Sequence, residues 1–148
     1  MELILWRHAE AEDGSPDHER PLTERGQKQA KRMAEWLSSR IPLHSNIFVS
    51  PALRTKQTAQ ALCKDFAITP EIGVGASVKA TLNAVNWGKS NQLTIVVGHQ
   101  PTLGQVAAYL LCGKEYNWSI KKGAIWWIEQ RPESNEIVLR ACMTPNLL

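Results

Sequence analysis

The stretch Leu3-Ile4-Leu5-Trp6-Arg7-His8-Ala9-Glu10-Ala11 decides how this 148-residue chain is read. Three aliphatic residues and a tryptophan run without interruption into an arginine and a histidine. Such a run reads as a strand over about residues 2–7 that is buried on both faces, as in a parallel sheet. The strand stops with Arg7 and His8 at its carboxyl end. In an open α/β sheet, that end is where ligands bind. A guanidinium beside an imidazole is not needed to fill a core, but it suits the holding and attack of a phosphate.

Outward from this strand the chain alternates. A polar segment from Glu10 to Arg20 contains the turn formers Gly14, Ser15, Pro16 and Asp17, and it leaves the strand where it could wall a pocket. Arg20-Pro21-Leu22-Thr23 closes it. Thr23 is placed to cap a helix over about 24–39, in which Ala30, Met33, Ala34, Leu37 and Ile41 recur at helical spacing. Pro42 marks its end. Ile47-Phe48-Val49 reads as a short buried strand. Ser50-Pro51 follows as N-cap and first helical residue of a second helix, with Arg54 about one turn in. Its expected apolar face is Leu53, Ala59, Leu62, Cys63 and Phe66. Pro70 to Gly75 reads as a brief extended segment, and Val78, Leu82 and Val85 suggest a helix over about 77–87 with Gly88 just past it.

Leu93-Thr94-Ile95-Val96-Val97 is the clearest strand, and it ends at Gly98-His99-Gln100-Pro101. Leu103, Val106, Ala107, Leu110 and Leu111 form the next helix, stopped by Gly113. Residues 124–129 and 136–142 read as two strands, joined as a hairpin by Arg131-Pro132-Glu133-Ser134-Asn135. The expected fold is α/β, a three-layer sandwich with a mainly parallel central sheet and an antiparallel C-terminal hairpin. Neither a repeat nor a linker interrupts it, so residues 1–148 read as one domain.

Composition narrows the function classes. A hydrophobic content of 43% and a charged content of 21% describe an ordinary globular chain rather than a disordered one. The net charge of +3 favours an anionic ligand but is too small, and too evenly spread, to argue for nucleic acid. No run approaches the ~18 apolar residues of a membrane span. The start of the chain lacks the pattern of a secretory signal, and Cys63, Cys112 and Cys142 are isolated and odd in number. They read as reduced, mostly buried thiols of a cytoplasmic protein. The six tryptophans read as packing residues.

The chemistry lies in where the cations fall. Arg7 and His8 end one strand, Ser50 with Arg54 follows another, and His99 ends a third. If the strands are parallel, these groups meet at one sheet edge. Two helix N-termini, after Ser50 and after Gln100, face the same edge with unpaired N–H groups and partial positive charge. The sum is a site for a dianion. Taken singly, Arg54 reads as a solvated helix residue and His99 as a capping or core histidine. Their joint placement is what argues for function. A metal held by His8, His99 and nearby carboxylates is the rival use, but the adjacent arginines would repel a cation.

In such a pocket the ordinary histidine pKa of ~6.5 is pushed down by Arg7 and Arg54, which leaves His8 a neutral nucleophile. A backbone carbonyl on its other ring nitrogen would fix the tautomer. Two planar guanidiniums would clamp phosphate oxygens, and a protonated His99 would stabilise transition-state charge. Attack would give a phosphohistidine enzyme that water then hydrolyses. Neither cofactor nor metal is called for.

Arg7-His8-Ala9, the run from Ser50 to Ala59, Val97-Gly98-His99, and Arg20-Pro21-Leu22-Thr23 with Gly26 together resemble the histidine phosphatase superfamily, which has the phosphoglycerate mutase-like fold. Across nearly the whole chain they are similar to its small bacterial branch of SixA-type phosphohistidine phosphatases. The resemblance implies that His8 is the phosphoryl acceptor and that Arg7, Arg54 and His99 complete the phosphate pocket. It also implies that the backbone N–H of Gln100 adds a donor and that Arg20 stands near the pocket mouth. Two positions depart from the family pattern. The usual Arg-His-Gly is Arg-His-Ala here, and residues 72–92 hold no carboxylate to act as a general acid, Glu71 being the nearest. A serine alkoxide leaving group needs such an acid, whereas imidazole leaves without a strong one. The expected substrate is therefore phosphohistidine on a signalling protein, such as a histidine-phosphotransfer domain, with inorganic phosphate as product. A general phosphomonoesterase and a phosphate-binding module without turnover are the alternatives. Neither nucleic acid nor membrane is an expected partner.

Overall fold

The computed structural model describes residues 1–148. Six strands form one sheet: β1 (Glu2–Arg7), β2 (Asn46–Val49), β3 (Ala67–Ile68), β4 (Leu93–Gly98), β5 (Ile125–Gln130) and β6 (Ile137–Met143). Their order is β3-β2-β4-β1-β5-β6. β3, β2, β4 and β1 are mutually parallel, whereas β5 and β6 run antiparallel as the C-terminal hairpin. The helices are α1 (Glu24–Ser38), α2 (Leu53–Gln60), α3 (Val78–Ala84) and α4 (Thr102–Cys112). None is long and apolar enough to cross a membrane.

The opening strand explains the layering. Leu3 to Trp6 are fully buried, and alternate side chains point to opposite faces. Ile4 and Trp6 join a core with Met33 and Leu37 of α1 and Ala59 of α2, and Leu3 and Leu5 join a second with Val78 of α3 and Val106 of α4. The sheet is thus covered on both sides, as the three-layer reading requires. Of the tryptophans, Trp6 and Trp127 are buried and the other four are half-buried against these two cores.

Several boundaries follow from identifiable chemistry. Thr23 caps α1 by accepting the Gly26 N–H at 2.9 Å. Gly113, with φ +80°, ends α4 in the left-handed region. Gly26 is required by proximity, because a Cβ there would lie 1.9 Å from the Glu10 carbonyl oxygen.

Other expectations are corrected. α2 begins at Leu53, because Ala52 is still extended at ψ 145° and so takes the cap position, while the Ser50 hydroxyl bonds to His99. Its buried face is Arg54, Thr55, Thr58 and Ala59 rather than the apolar set. Leu62, Cys63 and Phe66 lie past its end and only partly cover the core. The extended segment is β3, before Pro70. Pro70 itself opens a 3-10 turn over Pro70–Ile72, since its fixed φ and missing N–H suit a first helical position. α3 stops at Ala84, ahead of Asn86 at φ 52°. The cysteines are not mostly buried: Cys63 is half-buried, and Cys112 and Cys142 are exposed at the end of α4 and on the edge strand β6.

Candidate active site

The strand order brings the expected groups together. β4 lies between β1 and β2, so Arg7 and His8, His99, and Ser50 with Arg54 end side by side on one sheet edge. Backbone bonds continue the ladder past the strand ends. His8 N–H donates to Gly98 O and Ser50 N–H donates to Val97 O, both at 3.1 Å. From the other side, Gly123 N–H donates to His8 O at 3.0 Å.

The His8 ring is set as a nucleophile requires. Its Nδ1–H donates to Ala9 O at 2.7 Å, which leaves Nε2 unprotonated. Its pKa is lowered to about 4, first by burial and then by the charges of Arg54, Arg7 and Arg20; the Ala9 bond opposes the shift. Burial, more than the arginines, therefore keeps His8 neutral. Ala9 N–H donates to Thr58 Oγ1 at 3.0 Å, and Thr58 in turn donates to Arg54 O. Ala9 is fully buried and does not have a positive φ, so alanine replaces glycine there without backbone strain.

His99 stands with its ring centroid 5.4 Å from that of His8. Arg54 Nη2 donates to its Nδ1 at 3.4 Å, and its Nε2–H donates to Ser50 Oγ at 2.7 Å. Its pKa is lowered to about 3 by burial and then by Arg54 and His8, with Asp17 opposing. The free site therefore holds a neutral His99, whereas the protonated form was expected only beside bound phosphate. An arriving phosphate dianion supplies the negative charge that draws a proton onto it.

Arg54 is buried, with only 4% of its side chain exposed. Its Nη1 and Nη2 donate to the Asp17 carbonyl at 2.9 Å and to Asp17 Oδ2 at 3.1 Å. Asp17 sits on a 3-10 turn (Asp17–Glu19) of the loop that leaves β1. Its other carboxylate oxygen takes Arg20 Nε at 3.1 Å, and Arg20 Nη1 reaches back to Glu12 O. Arg20 thus meets the pocket through Asp17. The Arg54 guanidinium, by hydrogen bonding, holds the Asp17 carboxyl below the ordinary range, with Arg20 adding to the effect. Arg7 Nη1 donates to Ile120 O at 2.9 Å. Both Arg7 Nε and Arg54 Nε are buried with no partner in the protein. A buried donor left unpaired is costly, and an oxyanion would satisfy it. The Gln100 backbone N–H also makes no bond, while its side chain is spent on Trp118 O and Gly104 N.

Sequence reasoning missed Asp17, Ser50 and Thr58 as members of this cluster. Asp17 was visible only as one turn former among several, and Ser50 only as a cap. Glu71 is exposed and hydrogen-bonds to none of these groups.

A neutral imidazole facing a pocket of buried guanidinium donors, at the carboxyl end of a parallel sheet, is the equipment of a histidine phosphatase. Residues 3–96 match the model of the histidine phosphatase superfamily (branch 1), and the chain belongs to that superfamily. It is a phosphatase with the phosphoglycerate mutase-like fold. Among its relatives, an uncharacterized Picosynechococcus protein is 33% identical over 84% of this chain and 82% of its own. The phosphohistidine phosphatase SixA of Escherichia coli is 32% identical over 77% of this chain and 76% of its own. In structure, the chain is similar to the protein histidine phosphatase SixA complexed with tungstate, with a TM-score of 0.82, 29% identity and all of both chains covered.

Proposed function

We propose that this phosphatase removes the phosphoryl group from phosphohistidine on a signalling protein, through a phosphohistidine intermediate at His8. His8 Nε2 attacks phosphorus while Nδ1–H stays on Ala9 O. The bond from phosphorus to the substrate imidazole breaks, and that ring leaves neutral because its other nitrogen takes a proton from solvent. Water then attacks the phosphoryl group on His8 and gives up a proton to solvent as the bond from phosphorus to Nε2 breaks, which releases inorganic phosphate and leaves Nε2 free again. Arg7 and Arg54 bind the oxygens in both steps, with the Gln100 N–H as a further donor. His99, protonated against the dianion, stabilises the charge that develops.

One observation carries the substrate class. The carboxylate hydrogen-bonded into this cluster is that of Asp17, and two guanidiniums hold it ionised. It has no proton to give an alkoxide at neutral pH, whereas a leaving imidazole takes its proton from solvent on the distal ring nitrogen and needs none from the enzyme. The similarity to SixA proteins supports the same reading. The test is phosphate release from a phosphorylated histidine-phosphotransfer domain, a phosphoserine peptide and a sugar phosphate, side by side, with His8→Ala as control. Release from the phosphohistidine protein alone, abolished in the variant, is expected. Comparable release from all three makes the protein a general phosphomonoesterase. Binding without release, unchanged in His8→Ala, makes it a phosphate-binding module.

A further inference from the structure

Lys121 and Lys122 stand exposed on the turn that precedes β5. That turn is tied to the site through its backbone, by Gly123 N–H to His8 O and by Arg7 to Ile120 O. Opposite it, α1 presents Arg25 and Lys28, with Arg32 a turn further on. A depression of about 210 Å³ lies between Arg25 and Gln29 of α1 and Lys121 and Lys122, and one of about 170 Å³ adjoins it along Arg25, Lys28 and Arg32, with Pro145 and Asn146 bordering both. Gln29 lines both, and its side chain accepts the Glu10 N–H at 2.9 Å, two residues beyond His8. β1 leads toward the N-terminal end of α1, and β5 runs antiparallel to β1, so both walls begin at the sheet edge where His8 lies.

The charge here is concentrated. Of the five cations, Lys28 alone has a carboxylate partner, Glu24 at 3.6 Å. Five cations against Glu24 and against Glu35, which borders Arg32, leave the patch at +3, equal to the formal net charge of the whole chain. Unpaired like charges repel and contribute nothing to folding. The groove is open and rimmed by charged head groups, which does not suit an apolar ligand, and no aromatic side chain lines it as a platform on which nucleic-acid bases stack. It suits a broad acidic surface laid beside the reacting group, where opposite charge speeds encounter and fixes orientation.

We propose that the groove of Arg25, Lys28, Lys121 and Lys122 docks the acidic surface around the phosphorylated histidine of the protein substrate. This rests on the phosphohistidine-protein reading above. The experiment compares the wild type, Lys121→Glu with Lys122→Glu, and Arg25→Glu with Lys28→Glu. Each is assayed on a phosphorylated histidine-phosphotransfer domain and on phosphoimidazole, at low and at physiological ionic strength. Both double variants should lose about tenfold or more in kcat/KM on the protein, chiefly through KM, and the salt dependence of that reaction should flatten. Turnover of phosphoimidazole should stay within about twofold, which shows an intact fold and site. Changing the carboxylates that flank the target histidine to amides should cost the wild type a similar factor and leave the variants unaffected. Equal losses on both substrates would overturn the proposal, as would unchanged turnover of the protein. So would loss of single-stranded RNA binding with phosphoprotein turnover intact. If the wild type fails on the phosphoprotein while it turns over a phosphomonoester, the substrate reading itself falls, and the docking role with it.

Discussion

Asp17 Oδ2 lies 3.1 Å from Arg54 Nη2 while the Asp17 carbonyl takes Arg54 Nη1 at 2.9 Å, so one residue of a surface loop holds both ends of a buried guanidinium. This grip leaves Arg54 Nε as the free donor and directs Nη2 also toward His99. Asp17→Asn keeps the carbonyl contact and loses the charge; Asp17→Ala keeps only the carbonyl. Phosphate release should fall about 10- to 100-fold in the alanine variant and less in the asparagine variant, mainly in kcat, because a misaimed clamp costs rate. Steady-state kinetics with a thermal melt check this, and the melts should barely move because Asp17 is half exposed. Since Arg54 depresses the Asp17 pKa, the charged contact persists through neutral pH. It fades only as pH falls through that lowered value.

The two histidines make the fold acid-sensitive. Both have folded-state pKa values below the ordinary 6.5, about 4 for His8 and about 3 for His99. As pH falls below 6.5 the unfolded chain takes up protons that the folded site refuses. Stability is therefore full above 6.5 and declines toward pH 4 and 3, where the folded rings protonate in turn. Urea unfolding from pH 7.5 to 4 should show this decline, and His8→Gln and His99→Gln should each flatten it. Histidine NMR should find the His8 ring titrating near 4, so nucleophile protonation does not limit activity at pH 6.

Ser50 should matter through His99. Its hydroxyl accepts Nε2–H at 2.7 Å, is fully buried, and touches the Ala52 N–H only at 3.4 Å. Ser50→Ala strands the imidazole N–H, at a cost of about 1 kcal/mol or somewhat more in stability. Freed of its partner, the ring loses its aim at the pocket, and kcat should drop about tenfold. Ser50→Thr keeps the oxygen and should recover most of the loss. Chemical denaturation and kinetics of the two variants separate a positioning role from a merely packed one.

What could be read in the sequence follows a physical line. β1 and β4 are apolar runs buried on both faces, and such runs announce themselves. Thr23 and Gly113 lie where a cap and a left-handed residue belong. β3 is two exposed residues held by one neighbour, so no periodicity marks it. His8, Arg7 and His99 were legible because they end strands. The burial of Arg54 was not, since an arginine on a helix looks the same whether it faces water or an anion pocket. Asp17 was hidden for the opposite reason: a polar residue among turn formers has no local signature, and only the folded loop brings it onto Arg54.

Gly26 tests how the loop after His8 is fixed. The Glu10 carbonyl accepts Thr23 N–H at 3.0 Å and sits where a Cβ on residue 26 would lie, 1.9 Å away. The obstacle is backbone, so it cannot swing aside like a side-chain tip. Gly26→Ala gains helix propensity but must push Glu10 away or tilt the start of α1. The clash dominates, and unfolding free energy should fall by about 1–3 kcal/mol or more. Gln27→Ala, exposed on the same turn, should stay within about 0.5 kcal/mol. Glu10 is two residues from His8, so the displaced loop also carries the Ala9 carbonyl that sets the His8 tautomer. Gly26→Ala should therefore lose phosphatase activity even at temperatures where it remains folded, and activity measured well below its melting point decides this. If it proves as active as the wild type there, the loop after His8 tolerates displacement and the close approach of Glu10 serves stability alone.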